Sequence, residues 1–221
     1  MRKFYVIFLV ALLLGMSGCR RNGSAALRTG DLVFVNIPAD YDLDSGSMAG
    51  AIGASTSEGR KMMTIHVAIL EVKADSTWII DATIRHGVDR YPLDTFLTDF
   101  TLKDGSLPEF DIKRPDVSAR EAEAFVENAK KFIGQPYDEH FLPDNGEMYC
   151  SELVYNSYIA PDGKHLFSSA PMNFLDEDGV LPVYWKQLFA LLGEEVPQGI
   201  EGTNPQKMSA EPVLKNVRKG F

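Results

Sequence analysis

Apolar residues occur along the chain in runs that predict an antiparallel sheet. Two β-branched, apolar runs, Thr64 to Val72 and Thr77 to Ile84, are separated by the polar segment 73–76. This arrangement is typical of a β-hairpin. Leu32 to Val35 is a shorter apolar run, and Glu109 to Lys113 is a further candidate. We therefore predict four strands in the first half of the chain.

Other segments have the spacing of amphipathic helices. Ser118 to Glu121 has the form of a capping box, and apolar residues recur at helical intervals after it until Gly134. Further helices are predicted from Cys150 to Ile159 and from Tyr184 to Leu192. The mixture of strands and helices predicts an α+β fold class, with an antiparallel β-sheet or small barrel packed against helices.

Two stretches lack such periodicity. Residues 45–59 are rich in small side chains, and we expect a loop with a short helical turn there. From about residue 193 onward glycine and proline recur, which predicts an irregular tail. The sequence contains no internal repeat and no linker, so we expect one domain over residues 30–221.

The N-terminus has the pattern of a bacterial lipoprotein signal peptide. Arg2 and Lys3 precede an apolar run from Phe4 to Leu14, and the segment Met16-Ser17-Gly18-Cys19 resembles a lipobox. The apolar run is about half the ~20 residues that a membrane-spanning helix needs. We expect residues 1–18 to be removed and Cys19 to carry lipid. Residues 19–29 would then tether the protein to the outer face of a membrane in the cell envelope.

The mature chain is strongly acidic. Without residues 1–18 it has 20 lysines and arginines against 31 aspartates and glutamates, a net charge of −11. This charge makes nucleic acid and anionic lipid head groups poor partners. Its length suits a single domain with a full hydrophobic core.

Cys150 is the cysteine that remains once Cys19 is lipidated. In a compartment where thiols are usually oxidised to disulfides, Cys150 would have no intramolecular partner. It begins a predicted helix, where unpaired backbone N–H groups and the helix dipole favour a thiolate and can bind an oxyanion. Cys150 is therefore a candidate nucleophile, and a buried structural cysteine is the alternative interpretation.

Four short motifs occur in an order that is more specific than any one of them. They are Gly30-Asp31-Leu32-Val33-Phe34, Ile65-His66-Val67-Ala68-Ile69, Gly134-Gln135-Pro136-Tyr137-Asp138 and Tyr149-Cys150-Ser151-Glu152-Leu153-Val154. Papain-like amidases of the NlpC type carry such a cysteine helix and such strands with the cysteine helix first. The chain resembles a circularly permuted papain-like cysteine amidase, in particular the YiiX/YaeF-like group, over roughly residues 28–190.

The resemblance implies a Cys-His-Asp thiol mechanism. His66 lies in the strand whose histidine is the general base of the family. Asp81 lies in the next strand, opposite or diagonal to His66 if the register places both on one face. In permuted relatives an acidic residue at this position completes the triad, although a glutamate is expected there rather than the shorter aspartate. Thr83 shares the predicted face and is the competing candidate.

Residues beside the proposed triad are assigned lesser roles. Tyr149 is a candidate to donate its hydroxyl to the oxyanion or to line a substrate cleft, and packing over the helix start is an equal alternative. Glu152 is expected to stabilise the helix dipole rather than to transfer protons. Tyr137 and Asp138 are expected to shape the loop before the cysteine. The other histidines are expected at the surface: His86, His140 and His165.

Several function classes follow from these patterns. The sequence has neither an HExxH motif nor a Cys/His cluster with the spacing of metal ligands, and we expect no metal or cofactor. The expected activity is hydrolysis of an amide bond in peptidoglycan stem peptides, or in a related N-acyl amino acid or peptide. This substrate class is inferred from the resemblance and the predicted location. Lecithin:retinol acyltransferase relatives share the His-then-Cys order, so a lipid acyltransferase or thioesterase is an alternative, as is a catalytically silent, lipid-anchored binding module.

Overall fold

The computed structural model describes residues 25–41, 43, 46–56 and 58–221 and has the predicted α+β architecture. The predicted signal peptide and Cys19 lie outside the described residues. The strands are β1 (Leu32–Pro38), β2 (Met62–Lys73), β3 (Ser76–Thr83), β4 (Gly87–Pro92), β5 (Glu109–Pro115), β6 (Ala170–Pro171), β7 (Glu201–Gly202) and β8 (Leu214–Lys219). The helices are α1 (Met48–Thr56), α2 (Leu93–Asp99), α3 (Ala119–Lys130), α4 (Cys150–Ser157), α5 (Val183–Leu192) and α6 (Pro205–Ser209).

Six strands form the main sheet, in the order β4-β3-β2-β1-β5-β8. Every neighbouring pair is antiparallel. β1 lies near the centre, and its residues Leu32 to Val35 are fully buried. This burial on both faces explains why β1 is a continuous apolar run rather than an alternating one.

Helices pack on both faces of the sheet, and their packing determines where the N-terminus of α4 lies. α3 and α4 pack on one face, where Phe125 and Leu153 meet Leu32 and Phe34. The other face buries a second cluster that includes Phe96 of α2. α1 and α5 contribute to a third cluster, rich in aromatic rings, that surrounds Tyr149. The N-terminus of α4 therefore lies where the sheet core and the aromatic cluster meet.

The predicted hairpin and the capping box are confirmed. β2 and β3 pair through a turn after Lys73. At the start of α3, Glu121 N–H donates to Ser118 Oγ at 3.3 Å, and Ser118 N–H donates to the Glu121 carboxylate at 2.9 Å. α3 ends at Lys130, before Gly134, because the next residues form tighter turns with bonds such as Phe132 N–H to Ala129 O. The helix is thus shorter than predicted.

The two edge strands of the sheet, β4 and β8, were not predicted, and neither was helix α2. β4 and α2 were not expected, because β4 has only two buried residues, Val88 and Tyr91. The tail after Gly193 is not irregular throughout: it contains α6 and β8, and β8 extends the sheet by pairing with β5. Edge strands gain stability from backbone pairing with a distant strand, so their own side-chain pattern is weak.

The described end of the predicted tether is bound to the fold. Ala26 O accepts a hydrogen bond from Arg114 at 2.8 Å, and the Thr29 hydroxyl donates to Val72 O at 3.0 Å. Within the described part of the chain, no helix is long and apolar enough to cross a membrane.

Candidate active site

Cys150 is the first residue of α4, as the sequence predicted. Tyr149 precedes it in an extended conformation and is the N-cap. The first N–H groups of a helix have no intrahelical partner, so those at the start of α4 are available to an oxyanion beside the thiol. Cys150 is 4% exposed, which leaves its sulfur reachable only from a confined space.

His66 follows a β-bulge in β2. Val35 of β1 pairs with His66, whereas the next residue, Asn36, pairs with Thr64, so Ile65 is the extra residue. A regular strand would place Thr64 and His66 on one face, and the extra residue breaks this alternation. Bulges redirect side chains and occur next to active sites. Here the bulge sets the direction of the imidazole, whose ring lies 4.8 Å from that of Phe100.

Asp81 is the carboxylate that contacts His66. His66 Nε2–H donates to Asp81 Oδ2 at 2.8 Å, and Asp81 is 1% exposed. The ladder between β2 and β3 ends at Ile69 and Ile80, so Asp81 is diagonal to His66 rather than opposite it. Thr83 instead accepts a hydrogen bond from His86 N–H at the turn after β3. The structure thus brings His66 to Asp81 and leaves Thr83 outside the contact.

The charges of the site favour a protonated imidazole. Burial lowers the pKa of His66, but the negative charge of Cys150, hydrogen bonds to Asp81 and Cys150, and the charge of Asp81 together raise it to about 10. The contact with Asp81 occupies Nε2, so Nδ1 is the ring nitrogen that remains for Cys150. The three residues named from the sequence therefore form one connected group of thiol, imidazole and carboxylate.

The second oxygen of Asp81 is held by a residue that the sequence analysis did not single out. The hydroxyl of Tyr91, in β4, donates to Asp81 Oδ1 at 2.6 Å. No local pattern indicated this contact, because β4 itself was not predicted. A buried carboxylate needs hydrogen-bond donors, and His66 and Tyr91 supply them.

Glu152 does not have the charge that the sequence analysis assumed. Burial and the nearby carboxylates of Asp138 and Asp144 raise the pKa of Glu152 to about 8, despite a hydrogen bond from Tyr149 N–H. At neutral pH most molecules therefore carry a neutral Glu152, so it contributes little to stabilising the helix dipole. A neutral side chain also adds little negative charge near the Cys150 thiolate.

Tyr149 lines a cleft and is anchored by its hydroxyl. The hydroxyl accepts a hydrogen bond from Thr203 N–H at 3.0 Å and lies 3.8 Å from Met172 Sδ. The Thr203 hydroxyl also donates to Ser151 Oγ at 3.0 Å. Residues on both sides of Cys150 are thus fixed by Thr203, a residue of the segment that the sequence analysis expected to be irregular.

Tyr137 and Asp138, from the motif at residues 134–138, have different roles. Asp138 shapes the loop, as expected, since its carboxylate accepts hydrogen bonds from the N–H groups of His140, Phe141 and Leu142. Tyr137, in contrast, lines the cleft beside Cys150. Its hydroxyl has a thioether partner, Met48 Sδ, at 3.4 Å. Tyr137 was expected only to shape the loop, and an isolated bridge with Met148 brings it close to Cys150.

The cleft that reaches Cys150 is mostly apolar. Aromatic and aliphatic side chains dominate its wall: Ile52, Phe141, Met172, Phe174 and Trp185. Among the residues that the structure describes, no Asp, Glu, Lys or Arg lines this cleft. Such a wall is suited to an uncharged, apolar group bound next to the thiol.

The remaining histidines lie outside this cleft. His86 contacts Asp99 at 2.8 Å, His140 contacts Glu194 at 2.9 Å, and His165 stacks on Tyr155. Over the described ranges, no group of three or more His, Cys, Asp and Glu side chains is placed to hold a metal ion.

A helix that presents a cysteine to an imidazole–carboxylate pair on an antiparallel sheet defines a papain-like thiol hydrolase. Here the strands precede the helix along the chain, so the fold is permuted. The chain belongs to the family of permuted papain-like amidase enzymes, YaeF/YiiX, or C92 family, which matches residues 26–218. It is accordingly a cysteine amidase or peptidase, and the resemblance inferred from the four motifs is confirmed.

Two relatives are similar to this chain in sequence or in fold. The chain is 22% identical over 195 residues to the uncharacterized protein YiiX of Escherichia coli strain K12, a match that covers 87% of this chain and 86% of that protein. A crystal structure described as the metalloprotein yiiX from Escherichia coli O157:H7 has a TM-score of 0.65 and 23% identity. The structural match covers 88% of this chain and 98% of the chain in that crystal structure. This likeness supports the fold.

Proposed function

We propose that the enzyme hydrolyses an amide bond of an N-acyl amino acid or peptide, a class that includes peptidoglycan stem peptides, in the bacterial cell envelope. The observation that carries this proposal is the hydrogen bond between His66 and Asp81, together with Cys150, whose negative charge raises the pKa of His66 and which lines a cleft. A nucleophile, a base and an orienting group in one connected set are what thiol-mediated acyl transfer requires.

The proposed reaction has two steps. The Cys150 thiolate attacks the carbonyl carbon, and backbone N–H groups at the start of α4 stabilise the oxyanion. The His66 imidazolium gives its proton to the leaving amine as the carbon–nitrogen bond breaks, which leaves a thioester on Cys150. His66 then takes a proton from water, which attacks the thioester and restores the thiolate. Asp81 keeps the imidazole oriented throughout.

The wall of the cleft favours an apolar acyl group within this substrate class. Peptidoglycan stem peptides carry charged side chains and carboxylates, and these would lose hydration beside Phe141, Phe174 and Trp185 without a charged partner. An aliphatic or aromatic acyl chain would instead gain by burial. We therefore rank an N-acyl amino acid above a stem peptide. The same wall supports the second candidate, a lipid acyltransferase or thioesterase.

Incubation of the purified protein with N-acyl amino acids, muropeptides and phospholipids, read by mass spectrometry, tests the proposal. We expect release of free amino acid and free acyl chain from N-acyl amino acids. Ile52→Glu, which places a charge in the cleft, should lower kcat/KM by roughly 10-fold or more, because the carboxylate opposes apolar binding. The matched Ile52→Leu variant should change it little. Acyl release from phospholipids alone would favour the lipid enzyme, and no product from any substrate would favour the silent binding module.

We also propose that the protein is a lipoprotein of the envelope, anchored through Cys19. The apolar run and lipobox-like segment of the sequence support this, and one or more acyl chains would supply most of the membrane attachment. Cys19→Ser is therefore expected to abolish lipid labelling and to release the protein from membranes on fractionation. An unlabelled Cys19→Ser protein that stayed fully bound to membranes would contradict lipid anchoring and indicate an uncleaved N-terminal segment.

A further inference from the structure

Asp81 lies in the middle of three polar side chains that cross the sheet from β2 to β4. Its Oδ2 accepts a hydrogen bond from His66 at 2.8 Å, and its Oδ1 accepts one from the Tyr91 hydroxyl at 2.6 Å. All three side chains are buried, and Tyr91 is 7% exposed. The two carboxylate oxygens are therefore held from the two neighbouring strands.

The register of the sheet places the side chains of His66, Asp81 and Tyr91 in a row. Asp81 pairs with Asp89 of β4, so Tyr91 stands two residues further along that strand, at a diagonal position. His66 is displaced in a similar way along β2, because the β2–β3 ladder ends before it. Diagonal neighbours on one face of an antiparallel sheet lie within reach of aromatic and long side chains. The contact with Tyr91 thus depends on the pairing of β3 with β4.

The Tyr91 hydroxyl acts as a donor across the neutral range. Burial and the negative charge of Asp81 raise the pKa of Tyr91 far above its usual value, so the hydroxyl keeps its proton. The rings that neighbour His66, Phe96 and Phe100, carry no polar atom that could take its place. Without Tyr91, Oδ1 of Asp81 would lose this donor in a buried setting, which is costly for a carboxylate.

We propose that Tyr91 is a positioning residue, whose hydroxyl holds Asp81 in the rotamer that presents Oδ2 to His66. This inference rests on the proposed roles of Cys150, His66 and Asp81. An aspartate held at one oxygen can rotate about its side-chain bonds, whereas one held at both oxygens cannot. Tyr91 therefore acts through Asp81 on the direction of the imidazole, and so on the thiolate–imidazolium pair.

The test compares Tyr91→Phe with Tyr158→Phe, which also removes one buried hydroxyl. Tyr158 donates to Gly30 O at 3.1 Å and belongs to the core beneath α4. We expect Tyr91→Phe to slow alkylation of Cys150 by iodoacetamide at neutral pH roughly 10-fold, as loss of a hydrogen bond to a charged group implies. Tyr158→Phe should leave the rate within about twofold, since its hydroxyl does not reach the triad.

Two further measurements decide whether Tyr91 acts through Asp81. In an Asp81→Asn background, Tyr91→Phe should produce no additional loss, because the charge that it positions is already gone. The proton resonance of His66 Nε2–H should weaken or shift in Tyr91→Phe and stay unchanged in Tyr158→Phe. If the substituted protein does not fold, incorporation of 3-fluorotyrosine, which changes the acidity of the hydroxyl and keeps the ring, should shift the same resonance.

Independent, additive losses from Tyr91→Phe and Asp81→Asn would overturn the proposal, as would an unchanged His66 resonance in Tyr91→Phe. A failure of the proposed function would give a different experimental result. In that case Cys150 of the wild-type protein would resist alkylation, while the His66 resonance would still report whether Tyr91 positions Asp81.

Discussion

Cys150→Ala is expected to abolish amide hydrolysis while the protein stays folded. Cys150 is the protein group that forms a bond to the acyl carbon in the proposed reaction, so its loss should lower turnover by at least about 10⁵-fold. The exchange of a thiol for a methyl hydrogen changes little volume, and the free energy of unfolding should change by at most about 1 kcal/mol. Product formation by mass spectrometry and thermal unfolding would measure the two effects.

The control for this first experiment is Ser151→Ala, one residue further along α4. Ser151 is buried and its Oγ accepts a hydrogen bond from Thr203, so it shares the setting of Cys150 without a thiol. Ser151→Ala should retain most of the turnover. Full turnover in Cys150→Ala would contradict a thiol mechanism.

Asp81→Asn is expected to lower turnover by roughly 10²- to 10⁴-fold without abolishing it, as in other triads whose carboxylate is amidated. The amide keeps the shape of Asp81 but removes its charge. Both the hydrogen bond and the charge of Asp81 raise the pKa of His66, so the pKa should fall from about 10 in this variant. In the wild-type protein the imidazolium persists until the pH rises to about 10, and in Asp81→Asn it should lose its proton at a lower pH. An NMR titration of His66 would measure this change.

Thr83→Val is the matched control for Asp81→Asn. Thr83 lies two residues further along β3, and its hydroxyl accepts from His86 N–H rather than from His66. Turnover in Thr83→Val should stay close to that of the wild-type protein. Loss of turnover in Thr83→Val together with full activity in Asp81→Asn would assign the orienting role to Thr83.

Much of the site follows from local sequence patterns. The hairpin of β2 and β3, the capping box of α3 and the cysteine at the start of α4 each depend on neighbouring residues, so periodicity and motifs predict them. The diagonal placement of Asp81 and His66 also follows from the hairpin. The bulge at Ile65 does not, because Ile65 is as apolar as its neighbours and the extra residue appears only when β1 is paired with β2.

The features that the sequence did not reveal depend on contacts between distant segments. Tyr91 reaches Asp81 only through the pairing of β3 with the edge strand β4. The wall of the cleft combines Phe141, Phe174 and Trp185 from three separate segments, and no periodicity connects them. The neutral state of Glu152 likewise arises from burial near Asp138 and Asp144. The position of Glu152 in the first turn of α4 does not reveal these neighbours.

The rate at which Cys150 reacts with iodoacetamide at neutral pH in the folded protein shows whether Cys150 is a nucleophile. Cys150 is only 4% exposed, so burial alone would make it inert, whereas a thiolate paired with His66 would make it reactive. We expect Cys150 to react faster than free cysteine and the reaction to slow in His66→Ala, which removes the partner of the thiolate. A Cys150 that reacts only after the protein is denatured would be a structural cysteine, and that result would contradict a thiol mechanism.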